Sequence, residues 1–183
     1  KIVSLLREFF QKKGFIEVPA QSNKSILAAC EDPKTVGQFV FGGEAWPLPQ
    51  TGQVVLEEVL LKNPDVKGVF CISTSYRNEP DPIPGRHDLI FPMFEFEGKG
   101  TIEDLKKIEK ELLEHLGFEE EPVSVDYLDC CKKYDVEILE SGHEESMQKD
   151  FGNVVSLENF PMSSHPFWNM KYAGDGIFHK VDV

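Results

Sequence analysis

Two runs rich in β-branched and aromatic residues, Val66 to Tyr76 and Ile90 to Glu97, flank a segment, Arg77 to Leu89, that carries Pro80, Pro82, Pro84 and Gly85. Both runs read as strands. The second alternates: Phe94 and Phe96 frame Glu95, and Glu97 follows, so it offers one apolar face and one carboxylate-bearing face. The intervening segment is too long for a tight hairpin turn, and loops of that length in compact domains more often carry function than merely connect. Any fold this chain adopts has to close a two-strand unit over a long, proline-rich loop.

The flanking segments supply helices. Ile2, Leu5, Leu6, Phe9 and Phe10 fall on one helical face, Lys12 and Lys13 suit the negative end of the helix dipole, and Gly14 suits the position after it. Phe15–Val18 reads as a short strand, residues 19–52 as loop, and Gln53–Lys62 as a helix stopped by Asn63-Pro64. Thr101-Ile102-Glu103-Asp104 has the form of a capping box, and Ile102, Leu105, Ile108, Leu112 and Leu116 predict a buried helix face ended by Gly117. Residues 118–150 are acidic and read as a small helical insertion, with short helices at Tyr127–Tyr134 and Glu144–Asp150. Val154–Glu158 reads as a strand, and Phe167–Tyr172 and Ile177–Val183 as a hairpin turning at Ala173-Gly174-Asp175-Gly176. This order predicts an α+β fold with a mainly antiparallel sheet flanked by helices. The length of 183 residues fits one domain, 1–183. Because the last predicted strand runs to the chain end, that domain is expected to be incomplete at its C-terminus.

Nineteen Lys+Arg against 32 Asp+Glu give a formal charge of −13. That argues against a surface that coats nucleic acid, which needs clustered cations, and leaves room for one basic pocket around one phosphorylated ligand. No apolar run reaches the length of a membrane span and no signal peptide is evident, so no membrane partner is expected. Cys30, Cys71, Cys130 and Cys131 fit neither a disulfide framework nor paired zinc ligands and read as free thiols in a reducing cytoplasm.

The densest chemistry is Tyr76-Arg77-Asn78-Glu79, then Gly85-Arg86-His87, Phe91, Glu95 and Glu97. Period two places Arg77 and Glu79 on one strand face, and Phe91 and Glu95 on one face of the returning strand. A guanidinium can fork two phosphate oxygens, a Phe ring can stack on a purine, and Glu79 or its backbone can accept from an exocyclic amine. From the residues alone, a nucleotide site and a solvated hairpin laced with surface ion pairs are both open.

The pattern aromatic-Arg-x-Glu, a variable loop, Arg-His, and Phe four residues after the His resembles motif 2 of class II aminoacyl-tRNA synthetases, in the subclass of the aspartate, asparagine and lysine enzymes. Leu6–Val18 resembles motif 1, the helix and strand of that family's dimer interface; the family's proline is expected at the position of Gln21, and this chain has Pro19 instead. Leu48-Pro49-Gln50-Thr51-Gly52-Gln53 resembles the amino-acid-binding segment. Phe160-Pro161, Pro166-Phe167-Trp168-Asn169-Met170-Lys171 and Val181-Asp182-Val183 resemble the stretch leading toward motif 3.

The resemblance implies a class II catalytic fold cut off before motif 3, and a ligase that forms an aminoacyl-adenylate. It implies ATP and Mg²⁺ as cofactors. Arg77 would bridge the ATP α-phosphate and the substrate carboxylate as the catalytic residue. Glu79 would face the adenine amine, Arg86 and His87 the outer phosphates, and Phe91 the adenine ring. Gln50, Gln53 and Lys171 would bind the amino acid, and Asp182 would bind Mg²⁺ with a carboxylate beyond Val183. A homodimer through the N-terminal helix and strand follows from motif 1. Leu56, followed by Glu57 and Glu58, stands where aspartate enzymes have a Lys, so Gly52-Gln53 looks more like the asparagine branch. Because Lys1 lies almost on the motif 1-like helix, no anticodon-binding barrel is expected ahead of it. Three functions are carried forward: a ligase activating aspartate and passing it to ammonia to form asparagine, the catalytic core of an asparaginyl-tRNA synthetase charging tRNA, and a non-catalytic paralogue that binds a nucleotide or a protein.

Overall fold

The computed structural model describes residues 1–20, 24, 26–85, 87–164 and 170–183. Gln21, Arg86 and the Pro166–Asn169 part of the predicted hairpin and motif-like stretch lie outside the described residues. The chain divides into two compact units, Lys1–Lys99 and Gly100–Val183.

In the first unit, α1 (Ile2–Lys12) leads through Gly14, at φ +84°, into β1 (Ile16–Glu17). A hairpin of β2 (Gln38–Phe41) and β3 (Glu44–Pro47) precedes α2 (Gln53–Lys62), and β4 (Gly68–Tyr76) and β5 (Ile90–Gly98) follow. The sheet order is β1-β4-β5, with β1 parallel to β4 and β4 antiparallel to β5 from Gly68↔Gly98 to Tyr76↔Ile90. The segment expected to be loop through residue 52 therefore contains a hairpin. Gly42 and Gly43, at φ +63° and +84°, supply the left-handed pair that a two-residue turn between strands requires.

The two faces of this sheet divide as the alternation predicts. Phe70 is paired with Phe96, and with Phe94 they form an aromatic layer under α1. The fully buried Phe10 reaches it, with ring centroids 4.6 Å from Phe96 and 5.2 Å from Phe94. Phe15 packs edge-on to Phe10 at 5.3 Å. Such pairs add about 0.5–1.5 kcal/mol each beyond the area they bury. On the opposite face Val69 and Cys71 meet Leu56 of α2, all three fully buried. The Phe15 ring covers Gly68 so closely that a Cβ there would stand 2.2 Å from Phe15 Cε1.

The second unit holds α3 (Ile102–Leu116), β6 (Val123–Asp126), α4 (Tyr127–Tyr134), α5 (Ser141–Phe151), β7 (Val155–Pro161), a 3₁₀ turn (Met162–Ser164), β8 (Tyr172–Gly174) and β9 (Ile177–Asp182). Its sheet order is β6-β7-β9-β8, with only β6 and β7 parallel. The Thr101–Asp104 capping box forms as read, and Gly117 closes α3 in the left-handed region. The α3 stripe is half-buried rather than buried, because one helix against one side of a sheet leaves its flanks open. The core is Tyr127, Cys130, Cys131, Met147, Leu157 and Phe160. Asp126 caps α4 through Leu128 N–H at 2.9 Å and Asp129 N–H at 3.2 Å, which sets the turn from β6, a strand not expected within 118–150, into the helix expected at Tyr127–Tyr134. All four cysteines are free. Among the described residues no helix is long and apolar enough to cross a membrane.

We expect Gly68→Ala to destabilise the protein by about 1–3 kcal/mol or more, because Phe15 is locked by its neighbours and the new methyl overpacks it. Gly142→Ala, where a Cβ meets nothing within 4 Å, is the control and should be neutral or stabilising. Urea unfolding midpoints of the two variants check this; equal midpoints would contradict the packing described.

Candidate active site

The α2-facing side of the β4–β5 pair carries Val69, Cys71, Ser73 and Ser75 opposite Glu97, Glu95, Met93 and Phe91. Above it run two loops, one through Ala28–Thr35 and one through Pro49–Gly52. Tyr76 N–H donates to the Pro49 carbonyl at 2.9 Å, which holds the second loop along β4.

Glu95 ties these parts together. Its carboxylate accepts from Thr51 Oγ1, from Gly52 N–H at 2.7 Å and from Ser73 Oγ at 2.7 Å. Gly52 fits only because it lacks a side chain: a Cβ would stand 2.8 Å from Cys71 Sγ and 3.1 Å from Glu95 Oε2. A small cleft of about 60 Å³ opens beside Glu31, Thr51, Gly52 and Ser73.

Arg77 follows the end of β4, and its N–H donates to the Leu89 carbonyl at 2.8 Å, carrying the pairing one step past the strand. Its guanidinium carbon lies 5.4 Å from the centre of the half-buried Phe91 ring, a cation–π contact. The placing of Arg77 and Glu79 on a strand face is corrected here. The strand stops at Tyr76 because Asn78 N–H turns away to the Thr35 carbonyl at 2.8 Å and Pro80 has no N–H to offer. Glu79 is half-buried on the departing chain. His87 N–H donates to the Ile83 carbonyl at 2.9 Å, and its Nδ1 accepts from Ile83 N–H at 3.2 Å, which places the neutral ring's proton on Nε2. Arg86 lies outside the described residues.

The two glutamines differ. Gln50 is buried, and its amide is engaged by Asp32 N–H at 3.0 Å, the Asp32 carbonyl at 3.1 Å and Thr35 Oγ1 at 2.9 Å. Its place is to hold the Ala28–Thr35 loop. Gln53 opens α2, and its Oε1 accepts from Cys30 Sγ at 2.9 Å. Glu97, beside it, is pushed up to about 7, first by burial and then by the charge of Glu57, with Glu95 adding and a hydrogen bond from Gln53 opposing. Cys30 and Glu31 were not singled out from the sequence. Glu31 accepts from Gln50 N–H at 2.7 Å and from Ala28 N–H. No local pattern marks either residue, because what brings them to Gln50 and Gln53 is a contact between distant loops.

In the second unit Lys171 is exposed just before β8, its carbonyl taking His179 N–H at 2.9 Å. Asp182 ends β9 and accepts from Lys180 Nζ at 2.6 Å. Nearby Glu109 is pushed up to about 7, by burial first and then by Asp182 and Glu158, while Lys106 opposes. Among the described residues no group of three or more His, Cys, Asp or Glu could hold a metal ion. With Asp182 engaged by Lys180, these residues do not by themselves fit Mg²⁺, and no step is routed through it.

No protein-family model matches the chain, and no curated protein matches it in sequence. Solved structures do. Asparaginyl-tRNA synthetase from Pyrococcus horikoshii complexed with asparaginyl-adenylate matches at TM-score 0.81 and 18% identity, over 98% of this chain and 48% of that one. The Entamoeba histolytica asparaginyl-tRNA synthetase matches at TM-score 0.72 and 20% identity in complex with asparaginyl-adenylate, over 99% of this chain and 47% of that one. The likeness is one of fold. It bears out the α+β, class II synthetase-like catalytic fold expected from the sequence. The chain spans about half the length of the solved chains it matches.

The raised Glu97 makes a prediction with a definite sign. A carboxyl whose folded pKa lies above its unfolded value favours folding while protonated, so its contribution fades as pH rises from the ordinary carboxylate range through about 7. Glu97→Gln should flatten the fall in melting temperature between about pH 5 and about pH 8, raising it most at the alkaline end. An unchanged slope in thermal scans would contradict the burial described.

Proposed function

We propose that this chain carries the ATP and amino-acid side of a synthetase site that activates asparagine as asparaginyl-adenylate. The observation that carries this reading is the Arg77–Phe91 pair at the end of the β4–β5 unit, an exposed cation 5.4 Å from the centre of an aromatic ring. A purine stacked on Phe91 would leave its α-phosphate within the reach of Arg77.

In the reaction an asparagine carboxylate oxygen attacks the α-phosphorus. A new P–O bond forms, the bond to the bridging oxygen breaks, and pyrophosphate leaves with the electron pair. Negative charge builds on the α-phosphate oxygens, and the Arg77 guanidinium stabilises it. No protein nucleophile is needed, so positioning and charge neutralisation supply the catalysis. In this reading Glu79 accepts from the adenine amine, Arg86 and the Nε2–H of His87 meet the outer phosphates, Gln53 contacts the amino acid, and Gln50 holds the loop beside it.

The choice of asparagine over aspartate rests on charge. Glu97, which a hydrogen bond links to Gln53, has the charges of Glu57 and Glu95 close by. A second carboxylate on the substrate would meet like charge there, whereas an amide can donate. Asparagine therefore replaces the expectation of aspartate passed to ammonia, in keeping with neighbours that hold asparaginyl-adenylate, and tRNA is the acceptor. Ile2 and Ile16, both exposed, and the edge position of β1 support a homodimer formed there.

ATP–pyrophosphate exchange in the full-length protein should depend on asparagine and not on aspartate. Aspartate-dependent exchange would restore the ammonia-ligase reading, and exchange with neither would favour a non-catalytic binder. Arg77→Ala should abolish exchange while leaving the circular dichroism spectrum intact; retained exchange would remove Arg77 from its role. Phe91→Ala should weaken ATP binding by about 1–3 kcal/mol, the range for base–aromatic stacking, and calorimetric titration of ATP checks it.

A further inference from the structure

We propose that Cys30 is a positioning residue for the amino-acid substrate: by donating its thiol proton to Gln53 Oε1 it holds the Gln53 amide in one of its two orientations. The inference rests on the asparagine-activating reading of the same site and adds to it a group that no synthetase-like motif marks.

A side-chain amide can rotate by half a turn at little intrinsic cost, which exchanges donor and acceptor. Gln53 is not free to do so. On one side the Cys30 sulfur lies 2.9 Å from Oε1, a contact that satisfies both groups only when the thiol keeps its proton. Burial, followed by the charges of Glu31 and Glu95, pushes the Cys30 thiol up and keeps it protonated, with a hydrogen bond to Thr51 opposing. On the other side the Gln53 amide hydrogen bonds to Glu97, which can accept an N–H and, while ionised, has none to give. While Glu97 is ionised, donor and acceptor thus agree on a single orientation, and the Cys30 thiol holds the oxygen side of it.

The loop that carries Cys30 is itself held. Gln50 clamps Asp32 and Thr35, and Glu31 takes Gln50 N–H at 2.7 Å. The thiol is therefore delivered to Gln53 by a fixed loop rather than by a side chain searching for a partner. With the amide fixed, its second N–H and its second oxygen lone pair point in constant directions, as reading a polar amino acid requires.

The test separates affinity from chemistry. In the full-length protein Cys30→Ala should raise the KM for asparagine about tenfold, the value of one oriented hydrogen bond. The kcat of exchange and the KM for ATP should barely move, and Cys30→Ser, which keeps a donor, should restore the asparagine KM. An unchanged KM in Cys30→Ala, or a serine variant as impaired as the alanine, overturns the proposal. A second measurement needs no activity. Cys30 is half-buried and the other three cysteines are buried, so iodoacetamide under native conditions should modify Cys30 first, as mass spectrometry can locate. Gln53→Ala should speed that modification several-fold, and an unchanged rate overturns the Cys30–Gln53 bond. If the wild type shows no asparagine-dependent exchange while Gln53→Ala still speeds modification, the substrate reading falls and the bond stands.

Discussion

A carboxylate placed between a loop and a sheet loses water on several sides, and that loss is tolerated only when its oxygens are filled by protein donors. Glu95 is filled by three, and they come from three places: a threonine hydroxyl and a glycine N–H ahead of α2, and a serine hydroxyl on the adjoining strand. One side chain thus sets where α2 begins. Gln53, the first residue of that helix, and Gln50, just before the clamped pair, take their places from it. Gly52 belongs to the same constraint, since a side chain there would collide with Cys71 and Glu95.

The alternation of β5 divides the work between the two faces of one sheet. Phe94 and Phe96 turn toward Phe10 and make the aromatic layer that anchors α1. Phe91, Glu95 and Glu97 turn the other way, opposite Ser75, Cys71 and Val69. A slip of one residue in the β4–β5 register would exchange the two sets and bury carboxylates under α1. Fold and candidate site are therefore specified by the same pairing, and the aromatic residues that hold the fold also keep the polar residues facing α2.

That pairing was legible in the sequence because period two is a local property and both strands are long. The helices at Ile2, Gln53, Ile102 and Tyr127 were legible for the same reason, each having a periodic stripe, a cap or a stop signal close by. The β2–β3 hairpin was missed although Gly42-Gly43 between Phe41 and Glu44 marks it, because the surrounding prolines suggested plain loop. The departure of Arg77 and Glu79 from the strand depends on Asn78 finding the Thr35 carbonyl, a contact between residues far apart in sequence. The separation of Gln50 from Gln53 was hidden likewise. Both stand in one short segment, yet the partner that occupies Gln50 is the Asp32–Thr35 turn, and the partner beside Gln53 is Cys30. Sequence spacing brought the glutamines together; only the loop above them shows that one holds the site and the other faces it.

The charges on the α2-facing side of β4–β5 are ordered along the strands. Arg77 stands just past the Tyr76 end, its guanidinium carbon 5.4 Å from the centre of the Phe91 ring, while Glu95 and Glu97 lie toward the Gly98 end. At about 3.3 Å per residue, Phe91 and Glu97 are roughly 20 Å apart along the strand. The anionic end has its own cost, since clustered carboxylates repel one another. Burial first, and that repulsion after it, lifts Glu97 to about 7, so near neutrality the cluster carries less charge than its residue count suggests. A Glu97 with a proton can donate to an amide oxygen, and an ionised one can accept from an amide nitrogen. Either form meets an amide, whereas only the protonated form would accept a carboxylate without repulsion, so in the asparagine-activating reading we propose, discrimination against aspartate should be sharpest on the alkaline side of that value.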